Sequence, residues 1–175
     1  MSSILVEEFG EEHLQSALDI YNYYIKNTTA TFHAHEMSKD EMRELIFYHS
    51  DKYKTFVLKE NEMVLGYVSL KQYSKREAYD ATAEVTVYLK HDCIGRGIGS
   101  RAVRFIEGYA KDKGMRALLA GICGENTQSI RLFERNGFFK CAHYREVGRK
   151  FGRILDVVAY EKIIAGVCDD TQTML

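Results

Sequence analysis

The sequence contains no proline and no tryptophan, and only four of its 175 residues are cysteines. Cys93, Cys123, Cys141 and Cys168 show no CxxC spacing, which predicts free thiols rather than disulfides or a zinc site. No apolar run reaches the ~18 to 20 residues of a membrane span. The N-terminus also lacks the basic and apolar regions of a signal peptide. We therefore expect a cytoplasmic protein without a membrane partner.

An excess of charge of one sign is also missing, since 24 basic residues face 25 acidic ones. This balance argues against nucleic acid as a partner and favours a small-molecule ligand. Among the six histidines only His33 and His35 form a close pair, and no third ligand is evident. The sequence therefore predicts no metal site.

The chain is 46% hydrophobic and has no proline-, serine- or charge-rich linker. This predicts one domain over residues 1–165 and a frayed C-terminal tail over residues 166–175. Residue periodicity predicts an α/β domain of order βααβββαβαββ, with a mixed sheet covered by helices on both faces. The predicted strands are Ile4–Phe9, Lys54–Lys59, Met63–Leu70, Thr82–Leu89, Met115–Ile122, Phe138–Val147 and Ile154–Ile163. The predicted helices are Glu11–Asn27, one starting at Ser38, Ser100–Lys113 and Asn126–Asn136.

A glycine-rich turn, formed by Gly95, Gly97 and Gly99, separates a predicted strand from a predicted helix. Glycines at a helix start let the backbone approach an anion, and the helix supplies free N–H groups and a partial positive charge. A pyrophosphate is the expected guest. The turn lacks the GK[ST] ending of a P-loop and the glycine spacing of a Rossmann domain. Incidental glycines at a helix entry remain the alternative.

A second motif, containing Asn126, Ser129, Gly137 and Phe138, follows the turn. Together the two motifs resemble the GNAT superfamily of acyl-CoA-dependent N-acetyltransferases. Residues 22–32, 76–88 and 146–156 are similar to the phosphinothricin acetyltransferase branch, and the resemblance covers roughly residues 4–163. It implies a single-domain GNAT fold with a mostly antiparallel sheet, acetyl-CoA as co-substrate and a homodimer. It also implies a small amine acceptor, an amino acid or an analogue such as phosphinothricin or methionine sulfoximine.

The resemblance also implies a catalytic residue. Glu84 would be the general base that removes a proton from the acceptor amine, either directly or through a water. Strand alternation places it on the polar face with Thr82, Thr86 and Tyr88. The alternative is an ordinary carboxylate on the surface of a strand.

The remaining implied roles concern ligand binding. The backbone of Val87, Tyr88 and Leu89 would pair with the pantetheine arm as an added strand. Pyrophosphate would be bound by Gly95, Arg96, Gly97, Ile98, Gly99 and Ser100, with the Arg96 side chain either adding charge or merely solvated. Asn126 would bind pantetheine or cap its helix, and Ser129 faces the same way. The acceptor would be bound by Phe32, Arg76, Tyr79, Glu84, Val85 and Thr86, with Arg76 either holding a carboxylate or serving only as a surface charge.

Three positions depart from the family pattern. Ile94 stands where an arginine or glutamine is usual, and Ser74 replaces an arginine found in some relatives. Phe133 stands where related enzymes place a tyrosine or histidine that protonates the departing thiolate. Two alternatives stay open: an acetyltransferase for a peptide or protein amine, and a CoA-binding module without catalytic activity.

Overall fold

The computed structural model describes residues 4–164, so the predicted tail and Cys168 lie outside the described residues. Within this range the predicted order βααβββαβαββ is confirmed. The strands are β1 (Ile4–Glu8), β2 (Lys54–Glu60), β3 (Met63–Gln72), β4 (Thr82–Leu89), β5 (Ala117–Cys123), β6 (Phe139–Lys150) and β7 (Arg153–Ile163). The helices are α1 (Leu14–Asn27), α2 (Lys39–Ile46), α3 (Ile98–Asp112) and α4 (Thr127–Arg135).

The seven strands form one sheet in the order β1-β2-β3-β4-β5-β7-β6. Only β4 and β5 are parallel, because α3 carries the chain back between them, and every other neighbouring pair is antiparallel. The predicted mixed, mostly antiparallel sheet is therefore confirmed.

The helices cover both faces of this sheet, as predicted. Leu14, Ile25 and Met42 of α1 and α2 pack with Val57 and Tyr67 of the sheet in one apolar cluster. A larger cluster on the other face contains buried side chains of α3 and α4, among them Ile98, Val103, Ile106 and Phe133. None of the helices in residues 4–164 is long and apolar enough to cross a membrane.

Helix boundaries follow local capping. Ser38 caps α2, since its hydroxyl accepts from the backbone N–H of Glu41 and the Glu41 carboxylate accepts from the Ser38 N–H at 2.7 Å. This reciprocal pair is a capping box, and it accounts for the predicted helix start at Ser38. The first helix differs from the prediction, because Glu11–His13 form a separate 3-10 turn before α1 begins.

Strand β6 is longer than predicted and contains a bulge. Tyr144 pairs with Val157 and Gly148 with Leu155, so β6 carries extra residues between these two pairs. Glu146 in the bulge has a φ of 57°, a left-handed conformation that is uncommon outside glycine. The Asp156 carboxylate accepts from the Glu146 N–H at 2.8 Å and contacts His143, and these contacts lower the pKa of Asp156. The bulge ends the first half of β6 and redirects the second half.

Candidate active site

Strands β4 and β5 separate after three residue pairs. Their parallel pairing covers Thr82–Glu84 against Ala117–Leu119, although β4 continues to Leu89 and β5 to Cys123. Beyond this fork, β4 still pairs with β3 and β5 with β7. Each strand therefore has one edge whose backbone groups face the fork rather than another strand. Such an edge can pair with an extended ligand.

A cavity of about 280 Å³ occupies the fork. One wall is Val85–Leu89 of β4, and another is Gly121 and Ile122 of β5. The N-terminal part of α4 and the loop after α1 complete it. The remaining lining residues are Tyr24, Thr28, Thr29, Ala30, Ile94, Glu125, Asn126, Gln128, Ser129 and Phe133.

The glycine turn directly follows Ile94, which lines this cavity. Gly95 and Gly97 have φ values of 86° and 78°, and Gly97 is the N-cap of α3. An added Cβ would meet nothing within 4 Å at either position, so there is room for a side chain. Glycine is favoured there because of the left-handed backbone conformation. Gly99 serves packing instead, because its Cβ would lie 3.1 Å from Leu132 of α4. The first turn of the 15-residue α3 therefore presents free N–H groups beside the cavity.

Two side chains of this turn have protein partners. Arg96 forms an ion pair with Glu60 at 2.9 Å, and this carboxylate raises the pKa of Arg96. The Ser100 hydroxyl accepts a hydrogen bond from the Asn136 amide at 3.1 Å. The part of the turn that remains for an anion is thus mainly its backbone.

Asn126 occupies the N-cap of α4, and its side-chain oxygen accepts from the Ser129 N–H at 3.1 Å. The cap uses the oxygen and leaves the NH₂ group of the same amide as a donor. Asn126 and Ser129 both line the cavity. Capping and ligand binding are therefore compatible at Asn126.

Glu84 is the last β4 residue paired with β5, so it lies at the branch point of the fork. Its side chain is 37% exposed and lies 3.7 Å from the Lys71 ammonium. The carboxylate is not part of the cavity wall, whereas Thr86, two residues further on the same face, is. Glu84 therefore lies next to the cavity wall without forming part of it.

The structure divides the predicted acceptor residues into two groups. Val85 and Thr86 line the cavity. Arg76 and Tyr79 lie in a turn before β4, where Tyr79 packs edge-to-face against Tyr73. Phe32 lies on the loop after α1 and packs over Gly148 of β6, where a Cβ would be 2.1 Å from the ring. In the described chain these last three side chains are not part of the cavity wall.

Several cavity residues are not predicted from the sequence, and Tyr24 and Glu125 are two of them. The Tyr24 hydroxyl donates to the Leu89 carbonyl at 2.7 Å, and burial raises the pKa of Tyr24 to about 12. Glu125 is the only carboxylate of the cavity wall within residues 4–164, and it accepts from the Thr29 hydroxyl at 2.7 Å and pairs with Arg153. These two contacts lower the pKa of Glu125. Tyr24 lies within the segment 22–32 that resembles the family, but the resemblance implies no role for it, and Glu125 belongs to no motif.

Phe133 lines the cavity with its ring almost fully buried and packed edge-to-face on Phe138 at 5.0 Å. It offers no proton. Cys93, Cys123 and Cys141 are free thiols, as the sequence predicts. Within residues 4–164, no three His, Cys, Asp or Glu side chains come together as a group that could hold a metal ion.

Comparison with known proteins agrees with this geometry. A family profile described as an acetyltransferase (GNAT) domain matches residues 9–159. The chain is 35% identical to phosphinothricin N-acetyltransferase of Streptomyces coelicolor, over 87% of this chain and 91% of that protein. It is 31% identical to an L-methionine sulfoximine/L-methionine sulfone acetyltransferase of Salmonella typhimurium, over 79% of this chain and 82% of the relative.

Solved structures share the fold. A phosphinothricin acetyltransferase from Sinorhizobium meliloti in complex with acetyl-CoA has a TM-score of 0.85 and 27% identity, covering 93% of this chain and 89% of its own. A crystal structure described as a putative phosphinothricin N-acetyltransferase has a TM-score of 0.88 and 26% identity, covering 94% of this chain and 100% of its own. The forked sheet, the glycine turn and the matched profile lead to one conclusion: the chain belongs to the GNAT family of acetyltransferases.

Proposed function

We propose that the protein is an acetyl-CoA-dependent N-acetyltransferase for the amino group of a small amino acid or amino acid analogue, of the phosphinothricin or methionine sulfoximine type. The observation that carries this proposal is the fork. The open edge of β4 and Asn126 line the same cavity, and the glycine turn that leads into α3 directly follows Ile94 of its wall. The names of the relatives support the acceptor class.

We place the pantetheine arm along the open edge of β4, with backbone groups of Val87–Leu89 as its partners. The N–H groups of the turn from Gly95 to Ser100 would hold the pyrophosphate, and Asn126 would donate to the arm from the opposite side. Acetyl-CoA supplies the acetyl group as an activated thioester. Tyr24 contributes indirectly, because its bond to the Leu89 carbonyl fixes the end of the β4 edge.

The acceptor must lose a proton to become a nucleophile, since a primary amine is mostly ammonium near neutral pH. We assign this proton to Glu84 through a water beside Thr86, because Glu84 lies at the branch point and Thr86 on the wall. The amine nitrogen then attacks the thioester carbonyl in a ternary complex, and the bond to sulfur breaks. A thiol of pKa ~8.5 is a tolerable leaving group, so Phe133 does not prevent turnover.

The test is acetyl-CoA-dependent thiol release with phosphinothricin, methionine sulfoximine, methionine sulfone, common amino acids, polyamines and a peptide. We expect turnover on an amino acid analogue and a loss of about 100-fold or more in kcat for Glu84→Gln, typical of a lost general base. Glu44→Gln, at an exposed position of α2, is the matched control and should behave as wild type. Turnover on the peptide alone would contradict this acceptor class and indicate that the acceptor is a peptide or protein amine. Binding of CoA without turnover on any acceptor would instead favour the module without catalytic activity.

A further inference from the structure

The loop that forms one wall of the cavity is anchored from two sides. Residues 28–33 follow α1 without regular secondary structure, and Thr28, Thr29 and Ala30 line the cavity. On the α1 side, the Tyr21 hydroxyl hydrogen-bonds to the Thr31 hydroxyl at 2.8 Å and to the His33 ring at 2.7 Å. On the other side, the Lys150 ammonium donates to the Thr31 carbonyl at 2.8 Å.

Lys150 is an unusual anchor, because its side chain is almost fully buried. In the described range no carboxylate lies within ion-pair distance of this ammonium, which also lies 5.0 Å from the centre of the Phe151 ring. Burying an ammonium without a counter-ion costs free energy. A neutral side chain of similar length would fill the same volume without this cost, so packing alone does not account for a lysine here.

The contacts between loop and strand follow the alternation of β6. Gly148 and Lys150 lie two residues apart and so share one face of the strand. Thr31 is bound by Lys150, and the ring of Phe32 covers Gly148. Neighbouring loop residues Thr31 and Phe32 therefore contact Lys150 and Gly148, which are neighbours on one face of β6. The bulge at Glu146 sets this register, since it lies directly before Gly148.

We propose that Lys150 is a positioning residue for the acceptor: its buried ammonium holds the Thr31 carbonyl against β6. This contact fixes the cavity wall formed by Thr28–Ala30, and it also fixes Phe32, which lies outside that wall. This inference rests on the proposed function for the identity of the acceptor. Lys150 itself does not touch the cavity. Its loss should therefore weaken acceptor binding and leave the β4 edge and the α3 turn intact.

The test compares Lys150→Met with Lys150→Arg and with Lys140→Met, an exposed lysine of the same strand. For Lys150→Met we expect the acceptor KM to rise about tenfold or more, as for the loss of a charged hydrogen bond. The acetyl-CoA KM should stay within about twofold of wild type. Lys150→Arg should recover part of the loss because it restores a charged donor. Lys140→Met should have no effect.

Amide hydrogen exchange provides a readout that needs no acceptor and no turnover. In Lys150→Met, exchange should accelerate in residues 28–33 and remain unchanged in β2 and β3. Gly148→Ala serves as a second perturbation that keeps the lysine, and its Cβ should displace Phe32 and raise the acceptor KM as well. Equal losses for acetyl-CoA and acceptor, or unchanged exchange in the loop of a folded Lys150→Met, would overturn the proposal. If no tested acceptor is acetylated but amide exchange in residues 28–33 is faster in Lys150→Met, the proposed function is contradicted and the anchoring role of Lys150 is not.

Discussion

Lys150 carries its charge into the protein interior, and this has a consequence for stability. Burial lowers the pKa of Lys150 below the ordinary value of 10.5, while a smaller contribution from Cys123 opposes the shift. Between the lowered pKa and 10.5 the unfolded chain binds more protons at this site than the folded chain does. The contribution of Lys150 to the free energy of unfolding therefore becomes more favourable as the pH rises through this interval.

We expect the stability difference between wild type and Lys150→Met to move in favour of wild type as the pH increases toward 10.5. Urea denaturation of both proteins at several alkaline pH values measures this difference. Groups other than Lys150 titrate in both proteins, so their effects cancel in the comparison. A difference that is constant or moves the other way would show that the ammonium is not desolvated in the folded state.

Phe133 allows a second test at the level of a single side chain. We expect Phe133→Tyr to keep the fold, because the ring contact with Phe138 is retained. Since the thiol is an adequate leaving group at pKa ~8.5, kcat should change by less than about threefold. Steady-state kinetics across the neutral pH range provide the measurement, with Phe138→Tyr as a control away from the cavity wall. A large increase in kcat would mean that protonation of the thiolate limits turnover.

Single residues were predictable where a motif marks them. The polar face of β4 and the two GNAT motifs pointed to Thr86, Asn126 and Ser129, all of which line the cavity. Tyr24 and Glu125 were not predictable, because they reach the cavity through contacts between segments distant in sequence. Arg76 is the opposite case: the resemblance predicts a role in acceptor binding, but its side chain is not part of the cavity wall.

At the level of elements, the start of α4 combines two roles that substitutions can separate. Asn126→Asp keeps a side-chain oxygen for the Ser129 N–H but removes the NH₂ donor. We expect this variant to retain wild-type stability within about 0.5 kcal/mol and to lose affinity for acetyl-CoA. Asn126→Ala should lose affinity and also about 1 kcal/mol of stability. Denaturant unfolding and calorimetric titration with acetyl-CoA provide the two readouts, and unchanged affinity in both variants would restrict Asn126 to capping.

Element order was predictable because each helix and strand has a local signature of period and caps. Ser38 and Glu41 mark the start of α2, and alternation marks β4. The fork was not predictable from these signals, since it depends on where β4 stops pairing with β5. The bulge in β6 was missed for a similar reason. Its left-handed residue is Glu146, not a glycine, and the Asp156 that stabilises it lies on the next strand.

At the level of the whole molecule, exposed apolar side chains gather on β6 and β7. Phe139, Tyr144, Val147, Ile154 and Ile163 are each more than half exposed. Such a concentration on one end of a sheet is typical of a protein interface. We expect a homodimer through these strands, with a mass near twice the 20.2 kDa of one chain by light scattering. The double variant Val147→Asp, Ile154→Lys should shift the protein toward monomers. A dimeric mass that persists in this variant would place the interface elsewhere, and a wild-type mass of one chain would contradict the homodimer.

The fork has one more consequence, for handling the protein. The facing edges of β4 and β5 beyond the fork do not pair with each other. Without a ligand their backbone groups are unpaired, like those on the edge strand of an open sheet. Proteins usually protect such edges because they pair with other chains and lead to aggregation. With acetyl-CoA placed along β4 as proposed, the ligand would cover this edge, and we expect it to act as a solubility factor as well as a reagent. Concentrated stocks without it are the samples in which we expect precipitation to begin.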